Sequence, residues 1–82
     1  MFYTYILYSE KLNKFYIGST ENVELRLAQH NNGNVKFTSR GMPWILKYTE
    51  PYQDRTTAMK REYEIKGKKS RKYIEWIITT KK

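Results

Sequence analysis

The chain has 82 residues and no cysteine, which predicts one small domain without a disulfide framework or a thiolate metal site. Lysine and arginine total 16 against 8 acidic residues, and the formal net charge of +8 favours a polyanionic partner, most commonly nucleic acid. The apolar run at residues 73–78 is too short to span a membrane and no signal-peptide pattern opens the chain, so we expect a cytoplasmic protein without membrane contact.

Two strands are predicted at the start of the chain, over residues 2–8 and 14–19. Both are dense in aromatic and β-branched residues, and the polar segment between them is suited to a turn, so we expect an antiparallel hairpin. If Tyr5 pairs with Tyr16, both phenols project from one face, whereas a slip of one residue would pair Tyr5 with Ile17 and separate the phenols. The simpler interpretation of these tyrosines is core packing.

A helix is predicted to follow the hairpin. Asn22 or Thr20 can cap it, because each offers a side-chain oxygen to the free backbone N–H groups of a first turn. The Asn-Asn-Gly sequence at residues 31–33 tolerates the left-handed conformation and is expected to end the helix. Arg26 and His30 are four residues apart, so they lie one above the other, at the edge of the buried side.

The middle of the chain is predicted to contain a loop and the third strand. Residues 34–43 show no clear periodicity, and we interpret them as a loop whose cations either contact phosphate or are simply solvated. Residues 44–49 alternate in the manner of a strand, and Glu50-Pro51 is expected to close it, because proline cannot continue a ladder.

A second long helix is expected to begin at a cap on Asp54 or Thr56 and to end or bend at Gly67. Glu62 falls in the middle of its apolar side. A carboxylate that points inward is costly unless it is paired or binds a cation, so Glu62 is the most informative single residue. The apolar side consists of Ala58, Met59, Tyr63 and Ile65, and the opposite side carries Lys60, Arg61 and Glu64.

A last helix is predicted after Ser70, which can cap it, and its apolar residues are expected to pack on the preceding elements. Lys81 and Lys82 are expected to fray. The predicted order is strand, strand, helix, strand, helix, helix, which is an α+β fold.

This pattern resembles the GIY-YIG nuclease domain over nearly the whole chain, and it is most similar to the small stand-alone bacterial members. The resemblance implies one domain over residues 1–82, with a three-stranded antiparallel sheet flanked by helices. It also implies metal-dependent hydrolysis of DNA phosphodiester bonds. The first triplet departs from the family pattern in its first two residues. The matching residues are Tyr3-Thr4-Tyr5, Tyr16-Ile17-Gly18, Arg26 with His30, and Glu62.

The same resemblance assigns catalytic roles to Tyr5, Tyr16, Arg26, His30 and Glu62. Glu62 would hold the divalent metal, Mg²⁺ or else Mn²⁺, since one carboxylate with phosphate and water suits magnesium. The planar donors of Arg26 suit phosphate oxygens. Tyr5 is the leading candidate for the proton acceptor, with Tyr16 or His30 assisting. A simpler alternative pairs Arg26 with Glu62 in a salt bridge and leaves His30 as a helix-end residue.

We therefore expect a metal-dependent endonuclease that acts on duplex or branched DNA as a monomer or weak dimer. Low sequence specificity is expected, because no second domain is available to read the sequence. RNA is a less favoured partner. The alternative is a non-catalytic nucleic-acid-binding module that keeps the GIY-YIG fold without its chemistry.

Overall fold

Three strands and three α-helices make up residues 1–80, which are the residues that this computed structural model describes. The fraying expected at residues 81 and 82 lies outside the described residues. The predicted α+β order is confirmed, with one short 3₁₀ helix added at Lys36–Gly41. The elements are β1 (Phe2–Ser9), β2 (Lys14–Thr20), α1 (Val23–Asn31), β3 (Trp44–Tyr52), α2 (Arg55–Lys68) and α3 (Arg71–Thr80).

β1 is the central strand of the sheet, and β2 and β3 pair with it in antiparallel fashion on either side. Successive side chains of β1 point to opposite faces of the sheet. Ile6 packs on one face in a cluster with residues of α2 and α3. Tyr5 and Leu7 pack on the other face with Trp44, and Leu27 of α1 lies against them. The sheet therefore separates two small cores, and β1 is buried on both faces.

The register of the hairpin differs from the pairing of Tyr5 with Tyr16. Tyr5 pairs with Gly18, and Tyr16 pairs with Leu7. This register is displaced by two residues, and a displacement by an even number keeps every side chain on its face. Both phenols therefore still project from one face, with ring centroids 6.4 Å apart.

Local hydrogen bonds confirm the cap predicted at the start of each helix. In each case a side-chain oxygen accepts from a backbone N–H three residues later, as an N-cap does. The distances are 3.0 Å for Asn22 with Leu25, 2.7 Å for Asp54 with Thr57 and 3.1 Å for Ser70 with Tyr73.

Two predicted boundaries are wrong. β3 continues through Pro51 to Tyr52, because β3 is an edge strand and one of its sides has no ladder for proline to interrupt. α2 does not end at Gly67 but runs to Lys68, and the residue in the left-handed conformation is Lys69, with φ 48°. The predicted loop at residues 34–43 also contains the 3₁₀ helix, which is too short to show a period in the sequence.

The inward side of α2 carries two charged residues, not one. Glu62 is partly buried, as predicted, but Arg61 is also partly buried, whereas Tyr63 is 59% exposed. The prediction that Arg61 lies opposite the apolar side and Tyr63 within it is therefore wrong. The buried face follows Ala58 and Ile65 at helical spacing, and Arg61 and Glu62 lie one turn after the first of these.

Arg61 joins α2 to β3 through Glu50. The Arg61 Nε donates to Glu50 Oε1 at 2.9 Å, and the hydroxyls of Tyr48 and Tyr52 donate to the same carboxylate at 2.5 Å each. Burial alone would raise the pKa of Glu50, but these donors and the guanidinium hold it below its usual value. The carboxylate is therefore ionised and fully bonded at neutral pH.

α3 covers the end of the core cluster on the α2 side of the sheet. Ile77 is fully buried there, whereas Trp76 is 55% exposed. The apolar residues of α3 were all expected to pack on the preceding elements, and only some of them do. Within residues 1–80, no helix has both the length and the apolar character that crossing a membrane requires.

We expect Arg61→Ala to lower the free energy of unfolding by about 2 kcal/mol, because the partly buried Glu50 carboxylate loses its charged partner. Lys60→Ala, on the exposed side of the same helix, should change it by less than about 0.5 kcal/mol. Urea denaturation of the two variants measures the difference. Equal stabilities would show that the ion pair contributes nothing to the attachment of α2 to β3.

Candidate active site

Gly18 lacks a side chain, and this leaves space on β2 for the phenol of Tyr5 from the central strand. A Cβ built on Gly18 would lie 2.4 Å from the Tyr5 hydroxyl oxygen and 2.6 Å from the ring carbon that carries it. Heavy atoms cannot approach so closely, so the Tyr5 phenol occupies the space that any other residue at position 18 would fill. Glycine is required here for space, and its φ is not positive. The Tyr5 hydroxyl thereby lies directly over β2, which is the strand at this edge of the sheet.

His30, in the last turn of α1, forms a hydrogen bond with the Tyr5 hydroxyl. Its Nε2 lies 3.0 Å from the Tyr5 hydroxyl and its Nδ1 lies 2.7 Å from the hydroxyl of Thr38. The Thr38 hydroxyl donates to the carbonyl of Val35 at 3.3 Å, so its oxygen is free to accept from Nδ1–H. In that tautomer Nε2 accepts the proton of Tyr5, and the three side chains form one directed chain of hydrogen bonds.

Burial keeps this chain electrically neutral. Burial, together with the nearby positive charge of the Arg26 guanidinium, lowers the pKa of His30 to about 4. Burial raises the pKa of Tyr5, and after the opposing effect of Arg26 this pKa is about 12. At pH 7 the imidazole is therefore uncharged and the phenol keeps its proton. His30 does lie in the last turn of α1, as the simpler alternative expected, but its buried imidazole is uncharged and so offers no positive charge to the C-terminal end of the helix dipole.

Tyr16 lies beside this pair and is only partly buried. Its ring is 4.9 Å from the His30 ring, edge to face, and 6.4 Å from the Tyr5 ring. The Lys66 ammonium lies over the Tyr16 ring, 5.7 Å from its centre. Tyr16 therefore connects the buried hydrogen-bond chain with the charged groups of α2.

Glu62 approaches the same edge from the opposite face of the sheet. Ser19 donates its hydroxyl to Glu62 Oε1 at 2.7 Å, and Lys66 donates to Oε2 at 2.7 Å. The carboxylate keeps 14% of its surface exposed. Its charge contributes to the raised pKa of Tyr5, which places the two side chains within electrostatic reach of each other.

Arg26 does not form the salt bridge with Glu62 that was one alternative. Its Nη1 donates to Gln29 Oε1 at 3.0 Å, and the ion pair of Glu62 within residues 1–80 is with Lys66. Arg26 is partly buried on α1 and acts on the pKa values of both Tyr5 and His30. It therefore supplies a positive charge next to the phenol.

Three residues of this arrangement were missed in the sequence: Ser19, Thr38 and Lys66. Lys66 follows Glu62 by four residues, and that helical spacing was a usable signal for an ion pair. Ser19 and Thr38 had no such signal, because their partners lie 43 and 8 residues away and on other elements.

Glu62 supplies the carboxylate oxygens of this arrangement, and such oxygens are the ligands that a divalent cation would require. No cluster of three or more histidines and carboxylates within residues 1–80 could surround an ion, so most ligands would be water and phosphate. Magnesium binds in this way, because it keeps several waters and needs few protein carboxylates. The Lys66 ammonium already places a positive charge at Oε2. The residues therefore fit a hydrated divalent ion.

Comparison with known proteins places the chain among related sequences and structures. A family model described as the GIY-YIG catalytic domain matches residues 1–74. The UPF0213 protein of Staphylococcus haemolyticus is 46% identical over 65 residues, which cover 78% of each chain. A UPF0213 protein of Bacillus cereus is 36% identical over 75 residues, covering 83% of this chain and 78% of that one. The solution NMR structure of a UPF0213 protein from Bacillus halodurans is 32% identical, with a TM-score of 0.59 over 96% of this chain and 84% of that one.

Gly18→Ala is expected to lower the free energy of unfolding by about 2 kcal/mol, because the new methyl group overlaps the Tyr5 phenol. Gly67→Ala is the matched control, since nothing lies within 4 Å of the added Cβ, and it should stabilise α2 by about 0.8 kcal/mol. Urea denaturation measures both. In a Tyr5→Ala background the Gly18→Ala substitution should cost little, and an undiminished cost there would exclude the overlap as its cause.

The neutral His30 predicts a stability that falls with acid. Its pKa is about 4 when folded and 6.5 when unfolded, so the unfolded chain binds the proton first. The contribution of His30 is fully present above about pH 6.5 and decreases by about 3 kcal/mol towards pH 4. Urea denaturation from pH 7 to pH 4.5 should show a steeper loss for the wild type than for His30→Gln. Parallel curves would contradict the buried neutral imidazole.

Proposed function

The chain belongs to the GIY-YIG catalytic domain family, and from that membership we propose that it is a metal-dependent endonuclease that hydrolyses DNA phosphodiester bonds. The convergence of unlike groups at the outer edge of β2 carries the proposal. The phenol of Tyr5 arrives there from the central strand, and Glu62 arrives from the opposite face of the sheet. Arg26 adds a guanidinium beside the phenol.

Glu62 is the proposed metal ligand. The Ser19 hydroxyl fixes Oε1, and Oε2 is bonded only to the Lys66 ammonium, whose side chain is 43% exposed. Movement of that exposed side chain would leave Oε2 accessible to a divalent cation. When bound, the cation would polarise a phosphoryl oxygen and stabilise its developing charge by several kcal/mol.

Arg26 is proposed to neutralise the phosphate. A guanidinium presents planar N–H donors that match two phosphoryl oxygens. Its Nη1 donates to Gln29 Oε1, and this hydrogen bond holds one arm of the group and orients it. Such fixed donors act in the transition state without the reorganisation that water would need.

Tyr5 remains our first candidate for the proton acceptor of the attacking water. Its raised pKa opposes that role, but a cation held on Glu62 would lower the pKa of the phenol. His30 Nε2 is in place to take the proton that Tyr5 itself would lose. Tyr16, which is more accessible than Tyr5, is proposed to position the water or the phosphate.

A non-catalytic nucleic-acid-binding module is the second candidate. The specific observation in its favour is that Glu62 is neutralised by Lys66 while Tyr5 is held protonated. A site in that state binds phosphate without cutting it. The net charge of +8 favours nucleic acid under either candidate, and cleavage separates the two. For the enzyme we propose a duplex or branched DNA substrate read with low sequence specificity, by a monomer or weak dimer.

We expect Glu62→Gln to lower the rate of DNA cleavage at least about a hundredfold in Mg²⁺ or Mn²⁺, because the metal loses its only charged protein ligand. Glu64→Gln is the matched control on the same helix, since its carboxylate is more than half exposed, and it should keep the wild-type rate. Gel assays on plasmid and branched DNA, with EDTA as a blank, measure this. Equal cleavage by both variants would reject Glu62 as the ligand, and wild-type binding without cleavage would favour the binding module.

A further inference from the structure

A cleft of about 370 Å³ lies between β2 and the junction of α2 with α3, next to the candidate active site. Its rim is cationic and its floor is apolar. Within the described residues no carboxylate lines it. The rim carries Lys14, Lys66, Lys69 and Arg71, and the floor includes Phe15 and Ile74.

Two of the rim cations are available to an anion. Arg71 is already bonded to Asn13 and to Glu75, and it lies 5.2 Å from the centre of the Phe15 ring. Lys14 and Lys69 take part in no ion pair in the part of the chain that the structure describes. Both residues therefore line the cleft without an ion-pair partner among the described residues.

Lys69 keeps a charged side chain where the backbone favours glycine. Its φ of 48° places it in the left-handed region, where a Cβ is strained. Its N–H donates to the carbonyl of Lys66 at 3.2 Å and closes the end of α2. Glycine or asparagine usually occupies such a cap, so the end of α2 does not itself call for a lysine side chain at this position.

The cleft is continuous with the candidate active site. Lys66 lines the cleft, and its ammonium bonds Glu62 Oε2 at 2.7 Å. β2 runs from Gly18 at the site to Lys14 at the far end of the cleft, a span of about 13 Å at the rise of a strand. A chain of phosphates that has one member at Glu62 would therefore extend along β2 into the cleft.

We propose that this cleft binds an unpaired nucleic-acid strand adjacent to the phosphate that is cut, an inference that rests on the proposed function. Lys14 and Lys69 bind its phosphates, and a base packs on the apolar floor beside Phe15. Grooves that combine cations with aromatic side chains bind single strands, because unstacked bases offer their faces. A duplex keeps its bases stacked and would use the cationic rim alone, leaving the apolar floor without a ligand.

Fluorescence anisotropy with a labelled oligo-deoxythymidine strand, in EDTA, tests the cationic rim. The double variant Lys14→Gln and Lys69→Gln should bind the strand about tenfold more weakly than the wild type. Its slope of log affinity against log salt should fall by about 1.4, since each phosphate contact on a single strand contributes about 0.7. The control double variant, Lys47→Gln and Lys60→Gln, loses the same charge outside this cleft and should keep the wild-type slope. Equal losses in both double variants would overturn the proposal.

Phe15→Leu tests the floor, because it keeps an apolar side chain and removes the aromatic ring. It should weaken binding of the single strand about tenfold, as expected for loss of stacking, and leave binding of a hairpin duplex unchanged. An unchanged affinity for the strand in a variant that melts cooperatively would overturn the assignment of an unpaired strand. Because these measurements are made in EDTA and record binding alone, they depend neither on the metal nor on cleavage. A failure of the proposed strand binding can therefore be distinguished from a failure of the proposed DNA cleavage.

Discussion

The passage of the Tyr5 hydroxyl over Gly18 is the constraint on which the site depends. Tyr5 belongs to the central strand, and a side chain from that strand would normally end inside one of the two cores. The absence of a side chain at Gly18 lets the phenol lie directly over β2, at an edge that both faces of the sheet can reach. α1 then contributes His30 from one face and α2 contributes Glu62 from the other. A single glycine thus makes it possible for groups from both layers to meet.

The site combines a buried, uncharged environment with a partly exposed, charged one. The chain from Tyr5 through His30 to Thr38 is buried, neutral and fully hydrogen-bonded, which holds the phenol in one position. Glu62 and Lys66 are partly exposed and charged. Because ion pairs near water are weak, replacing the Lys66 ammonium on Glu62 by another cation would cost little free energy. The rigid half orients the phenol, and the charged half is where we propose that a metal and a phosphate bind.

The distribution of the ion pairs explains how a chain with a net charge of +8 presents a cationic surface beside this site. Glu50 is bonded by Arg61, between β3 and α2, and Glu75 is bonded by Arg71 on α3. These arginines support the fold, whereas Lys69 at the end of α2 and Lys14 at the start of β2 take part in no ion pair among the described residues. Arginine suits a fixed position with several hydrogen bonds, because its guanidinium has planar donors. Lysine suits a mobile position, because its ammonium is carried on a flexible stem.

The sequence by itself determined the features that depend on near neighbours along the chain. The caps at Asn22, Asp54 and Ser70 are hydrogen bonds over three residues, and the inward position of Glu62 follows from the period of its own helix. The resemblance to a nuclease family named Tyr5, Tyr16, Arg26, His30 and Glu62, but it did not say how they would be arranged. Only the tertiary structure decided the pairing of Tyr5 with Gly18 and the partners of Glu62 and His30. These contacts join residues on different elements, and many registers and packings of those elements satisfy the same local pattern. Arg61 shows the same limit, since its inward position depends on Glu50 of a strand 11 residues away, which the period of α2 cannot indicate.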